Sequence, residues 1–179
     1  MEIITEKSGA RTQPVTTSYL TKPVPPEAYL RGLFGASATI KMKEAGAFTI
    51  QLVPEEAPVT VAMFAQLAES RYYNGLTLHR IVPNFVLQGG SPGANEYVGY
   101  PDFMRDELGL LSHRRGTLGI STRGRDTGDA QIFINLVDNF RLDHNYTVFA
   151  RIVEGMENVD KIQEGDAIES IEIRRTARP

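Results

Sequence analysis

Two polar side chains interrupt an otherwise apolar run, LHRIVPNFVLQGG at 78–90: Arg80 and Gln88. A strand sends alternate side chains to opposite faces. With Leu87 turned into a core, Val86 and Gln88 turn outward. Arg80 cannot occupy an interior without a partner, because desolvating a bare guanidinium is very costly. A second run, QIFIN at 131–135, sorts in the same way. Ile132 and Ile134 share the inner face, which leaves Gln131 and Phe133 on the outer one. Phe85, just past the Pro83–Asn84 break, can join this outer surface. A permanent cation, two amides and two aromatic rings then share one face. That set suits an apolar pocket beside a rigid hydrogen-bond donor. A single arginine on a strand is ordinarily a solvated surface residue, so the chemistry depends on the whole group.

The elements that must hold these residues are short strands. ATIKM (38–42) and FTIQL (48–52) alternate strictly around the turn KEAGA and form a β-hairpin. In APVTVAMFAQLAES, Val61, Phe64, Ala65 and Ala68 recur at helical spacing, an amphipathic helix with Pro58 near its first turn. Asn74–Gly75 marks a turn. Further strands fall near 77–82, 85–88, 117–121, 131–135 and 147–153. A short helix follows near 156–163, and IESIEIRR closes with alternation at Ile171 and Ile173. Seven or eight strands and two helices without a βαβ rhythm imply an all-β fold, a closed antiparallel barrel capped by helices.

The 179 residues suffice for one domain with a substantial core. Apolar content of 41% and charged content of 23% are those of an ordinary soluble globule. A net charge of −3 points to no nucleic-acid partner, and no apolar run is long enough to span a membrane. The absence of cysteine removes disulfides, thiolate metal sites and a cysteine nucleophile. Residues 1–33 carry Pro14, Pro23, Pro25 and Pro26. Proline density disfavours regular structure, so this stretch reads as an extended arm or linker before the domain at 34–179. Val24, Tyr29 and Leu30 within it are able to pack on that domain.

Several motifs carry less. The triplet DTG at 126–128 lies once in the polar run RGRDTGDA and reads as a loop. His79, His113 and His144 lack ligand spacing, and His79, facing opposite Arg80, reads as a hydrogen-bonded structural histidine. SHRR (112–115) and the acidic stretch EGMENVDKIQEGD read as solvated surface.

Three blocks together resemble the cyclophilin-type peptidyl-prolyl isomerases over roughly residues 35–175. LHRIVPNFVLQGG is similar to that family's F-H-R-I-I-P-x-F-x-x-Q-G-G. GTLGISTRGRDTGDAQIFINL is similar to its G-x-L-S-M-A-N…S-Q-F-F-I. RLDHNYTVFARIVEGMENVDKI is similar to its W-L-D-x-x-H-V-V-F-G-x-V-x-x-G-M-x-x-V. The resemblance implies an eight-stranded antiparallel barrel with two helices. It puts the family's catalytic arginine on Arg80, the glutamine that orients it on Gln88 and the pocket phenylalanine on Phe85. The pocket methionine falls on Val86 and the peptide-binding alanine–asparagine pair on Ser121 and Thr122. The second glutamine falls on Gln131, the floor phenylalanine on Phe133 and the wall leucine on Leu142. Two positions depart. Arg141 stands for a frequent tryptophan, which implies weak or no cyclosporin binding. Tyr146 stands for a histidine, as in many bacterial members.

The implied activity is rotation about Xaa-Pro bonds in peptides and in unfolded or flexible proteins, by a monomer using no cofactor or metal. A binding module or chaperone that grips proline segments with little turnover is the alternative. A soluble protein of bacterial cytoplasm or periplasm fits; the physiological clients stay open.

Overall fold

The computed structural model describes residues 25–176. The strict alternation of the first two strands appears as β1 (Ser37–Met42) and β2 (Ala47–Leu52). They pair antiparallel, with Ala38 opposite Ile50 and Ile40 opposite Phe48, so four inward side chains share one face. The remaining strands are β3 (Arg80–Val82), β4 (Val86–Gly89), β5 (Thr117–Ile120), β6 (Ile132–Asn135), β7 (Val148–Glu154) and β8 (Ile168–Arg174). They form one antiparallel sheet in the order β3-β4-β6-β5-β7-β2-β1-β8.

The two edges meet through the segments that precede them. Thr77 bridges Ala167, and Gly75 N, Leu76 O and Leu78 N bond to Ile168 O, Ile168 N and Asp166 O. This closure satisfies main-chain groups that an open edge would expose. It also crowds the chain. A Cβ on Gly89 would lie 2.4 Å from Thr77 O and 2.5 Å from a Leu78 methyl, so only glycine fits there. Inside the barrel Ile40, Ile50, Leu87, Leu118, Ile134 and Phe149 form the centre of one continuous core.

The first long helix, α2 (Pro58–Glu69), departs from the sequence expectation of one apolar face. Thr60, Ala62, Met63 and Leu67 are buried along with Val61, Phe64, Ala65 and Ala68. The helix is sunk into the fold, and Phe64 packs its ring 5.0 Å from that of Phe149. Ala57 at its start has no side chain to cap it. The Glu107 carboxylate does so from a distant loop, accepting from Val59 N at 3.0 Å and Thr60 N at 2.8 Å.

The proline-rich stretch is corrected where it can be seen. Residues 27–31 form a one-turn helix, α1 (Glu27–Arg31), started by Pro26, rather than an extended run. Its Tyr29 and Leu30 pack on the core and Tyr29 Oη donates to Glu69 at 3.0 Å, while Leu33 is fully buried. The packing of Tyr29 and Leu30 is as the sequence allowed; the helical turn is not. Pro14, Pro23 and Val24 lie outside the described residues. The last helix, α3 (Met156–Val159), stops four residues short of expectation. Lys161 N and Ile162 N bond three residues back, and this tighter turn delivers Ile162 into the core.

Candidate active site

Three neighbouring strands, β3, β4 and β6, fix the polar side chains. Arg80 lies directly opposite Gln88 in the β3–β4 ladder, and Gln88 directly opposite Phe133 in the β4–β6 ladder. Leu87, Ile132 and Ile134 belong to the contiguous core cluster, whereas Val86, Gln88, Gln131 and Phe133, though buried too, do not. That is the sorting the alternation demanded. The β3–β4 hairpin turns on Pro83 and on Asn84, whose φ is +57°, and Phe85 N closes the turn on Val82 O at 3.0 Å.

The outer face of these strands walls a cavity of about 370 Å³. Nine of the ten candidate residues line it: Arg80, Phe85, Val86, Gln88, Ser121, Thr122, Phe133, Leu142 and Tyr146. The tenth, Gln131, sits behind the wall and is buried. Its amide bonds at 3.4 Å to Gln88 Nε2 and to the carbonyls of Glu96 and Val98.

Gln88 is the hub. Its Nε2 donates to Ser121 Oγ at 2.9 Å and reaches Gln131 Oε1 at 3.4 Å, so its oxygen must face the other way. That oxygen accepts from Arg80 Nη1 at 3.0 Å. Among the described residues no carboxylate pairs with Arg80, which leaves its charge and its other donors for a ligand.

The apolar floor is Phe133. Its ring lies over Gly119, where a Cβ would come within 2.3 Å of Phe133 Cζ. Tyr146 meets the ring edge-on at 5.8 Å, and the His113 imidazole stacks near-parallel to it at 5.9 Å. Leu142 enters from a 3-10 turn, Phe140–Leu142. Asn139, at the head of that turn, donates to Phe85 O at 3.0 Å and Asn135 Oδ1 at 2.8 Å, tying the leucine wall to the phenylalanine wall.

The family model for cyclophilin type peptidyl-prolyl cis-trans isomerases matches residues 37–178. The peptidyl-prolyl cis-trans isomerase of Helicobacter pylori is 39% identical over 140 residues, 76% of this chain and 85% of that protein. The chain belongs to the cyclophilin family. Peptidyl-prolyl cis-trans isomerase B of Bacillus subtilis is 34% identical over 134 residues, covering 74% and 94% of the two chains. A Cryptosporidium parvum cyclophilin crystal structure has the same fold, with a TM-score of 0.73 at 23% identity over 78% of this chain and 98% of that one. The protein is a peptidyl-prolyl cis–trans isomerase, and the names of its relatives favour turnover over passive binding.

Within this cyclophilin, sequence reading missed several residues. Glu96, Tyr97 and Arg123 also line the cavity, from loops without periodicity. Arg123 is anchored there by the buried Asp129 at 3.1 Å. The DTG triplet is indeed loop: Asp126 accepts from Asp106 N, and Thr127 Oγ1 from Arg123 N. His113 was expected in a solvated loop but is fully buried under the floor. Its Nδ1 meets Asp143 Oδ1 at 2.9 Å, while Nε2 has no partner. Burial pushes the His113 pKa down. Desolvation opposes the charge on Asp143, but hydrogen bonds from Ser112 and from the His113 backbone and ring outweigh it and hold the carboxyl down at about 2. A polar residue next to a basic pair gave no local sign of this burial. His79 is likewise not hydrogen-bonded as expected, since neither ring nitrogen has a partner of normal geometry, and burial lowers its pKa. No helix among the described residues is long and apolar enough to cross a membrane.

Proposed function

We propose that Arg80 is the catalytic donor of this isomerase and that Gln88 aims it. A peptide bond resists rotation because the nitrogen lone pair is delocalised into the carbonyl, a barrier of roughly 18–20 kcal/mol. Before proline the two isomers lie within about 1 kcal/mol yet exchange over tens to hundreds of seconds. In the twisted form the lone pair is localised on the prolyl nitrogen, which becomes a better acceptor. A guanidinium donor aimed at that nitrogen stabilises the twisted form more than either planar one, which is what catalysis requires.

The observation that carries this reading is the 3.0 Å bond from Arg80 to Gln88 at the rim of an apolar hollow. Phe85, Val86, Phe133 and Leu142 seat the pyrrolidine ring. Ser121, Thr122 and Tyr146 hold the flanking peptide while its other half swings, and Gln131 braces Gln88 from behind the wall. The substrates are proline-containing peptides and flexible or unfolded proteins, acted on by a monomer. The charged Arg141, standing where an indole is common, weakens cyclosporin binding. Exchange kinetics on a proline tetrapeptide, wild type against Arg80→Ala, test the central role; equal rates refute it.

A further inference from the structure

Thr122 and Tyr146 also line a second hollow of about 300 Å³, which Arg80 does not reach. Arg125 and Arg141 line it with Gly124 and Asn145, and no carboxylate does. Arg141 has no ion-pair partner among the described residues; its guanidinium carbon rests 4.4 Å above the Phe85 ring. That ring also walls the first cavity, so the same contact that fixes the aromatic wall holds a cation at the border of the two hollows. Arg125 is only loosely engaged, 3.7 Å from Asp106 with its side chain 61% exposed. The charge of this corner is therefore largely uncompensated. At the other end of the first cavity the lining is mixed: Glu96 stands beside Arg123, whose charge is already taken by Asp129.

The hollows share Thr122 and Tyr146 as a common wall. An extended peptide advances about 3.3–3.6 Å per residue. With proline in the first hollow, a side chain one or two residues away reaches the second. We infer that the second hollow is a subsite for an aspartate or glutamate side chain flanking the target proline, with Arg141 and Arg125 as its specificity-determining cations. The inference rests on the first hollow being the proline seat. Guanidinium groups match carboxylate geometry and are less strongly hydrated than ammonium, so they suit this role.

The test is exchange kinetics at low ionic strength on peptides with one Ala-Pro core. Glu, Gln or Lys is placed singly at each of the three positions on either side. Glu at one or two positions on a single side of the proline is expected to raise kcat/KM over Gln by about threefold or more, and Lys to lower it. The gap shrinks at about 0.5 M salt. Arg141→Glu inverts the Glu-to-Lys order, and Arg125→Gln narrows it. Equal rates for Glu, Gln and Lys at every position overturn the subsite while leaving the proline seat standing. A Glu preference that survives both arginine substitutions also overturns it. Loss of turnover on every peptide with the wild-type protein removes the proline seat and the subsite together.

Discussion

Arg80 and Gln88 are directly opposed residues of the β3–β4 ladder, and the guanidinium of the first donates to the amide oxygen of the second at 3.0 Å. Their side chains share a face because the register allows nothing else. A one-residue slip would send one of them into the core. The strand pairing itself therefore aims the donor.

Arg80→Ala should lower kcat/KM on a proline tetrapeptide by well over tenfold, on the order of 100-fold, with little change in Tm, since the side chain is half-buried and supports no core residue. Arg80→Lys should rescue little, because a point charge cannot both bond Gln88 and face the substrate as a planar fork does. NMR exchange kinetics give the rates and thermal unfolding the control.

Gln88→Leu removes the acceptor while roughly keeping volume. It should lower kcat by about tenfold. KM should change less, because the apolar seat is untouched. Ser121→Ala, which removes a partner of the amide nitrogen but leaves the acceptor of Arg80 in place, should lower kcat less than Gln88→Leu. A Ser121→Ala loss equal to that of Gln88→Leu would argue against the aiming role.

Gly119→Ala places a methyl 2.3 Å from Phe133 Cζ and 2.9 Å from Thr147 O. The backbone cannot retreat, so the ring moves toward the cavity. Overpacking of this kind costs about 1–3 kcal/mol. The expected outcome is a lower urea midpoint and a raised KM, read on the same sample.

Stability should fall on the acid side in two stages. His113 has a folded-state pKa below its ordinary 6.5, so the fold favours the neutral ring, and its contribution is lost as pH falls below about 6.5. His79 adds to this stage in the same direction. Asp143, held at about 2 against an ordinary 3.8, contributes fully above about 4 and is lost between there and about 2. Urea midpoints at pH 7, 5 and 3 should decline stepwise. His113→Phe, which retains a ring against Phe133, should flatten the step between pH 7 and 5 to the part left by His79. An unchanged step would show that His113 does not titrate there.

The face that walls the cavity was legible because strand alternation is a local signal. Ile132 and Ile134 declare the inside, and Gln131 and Phe133 follow on the outside. The hairpin β1–β2 was legible for the same reason. What escaped was burial created by distant chain. His113 has a hydrophilic neighbourhood, and only the arrival of Asp143 and the Phe133 ring encloses it. Proline spacing around Tyr29 forbids a long helix but permits the single turn that Glu69 and Arg175 hold. Helix α2 read as one-sided because alanine and threonine look neutral, yet Thr60 and Ala62 are buried as completely as Val61. Glu96 and Tyr97 reach the cavity from a loop whose path no periodicity describes.

Arg80, Val86, Gln88 and Phe133 all stand on hydrogen-bonded strands of a sheet whose edges are stitched together. Opening or closing such a wall would mean rupturing main-chain bonds, so this side of the trough works as a stationary vice. During a turn of the Xaa-Pro bond it is then the client that rotates, dragging its unheld half through solvent. Large clients should consequently feel the viscosity of the medium more than short peptides do.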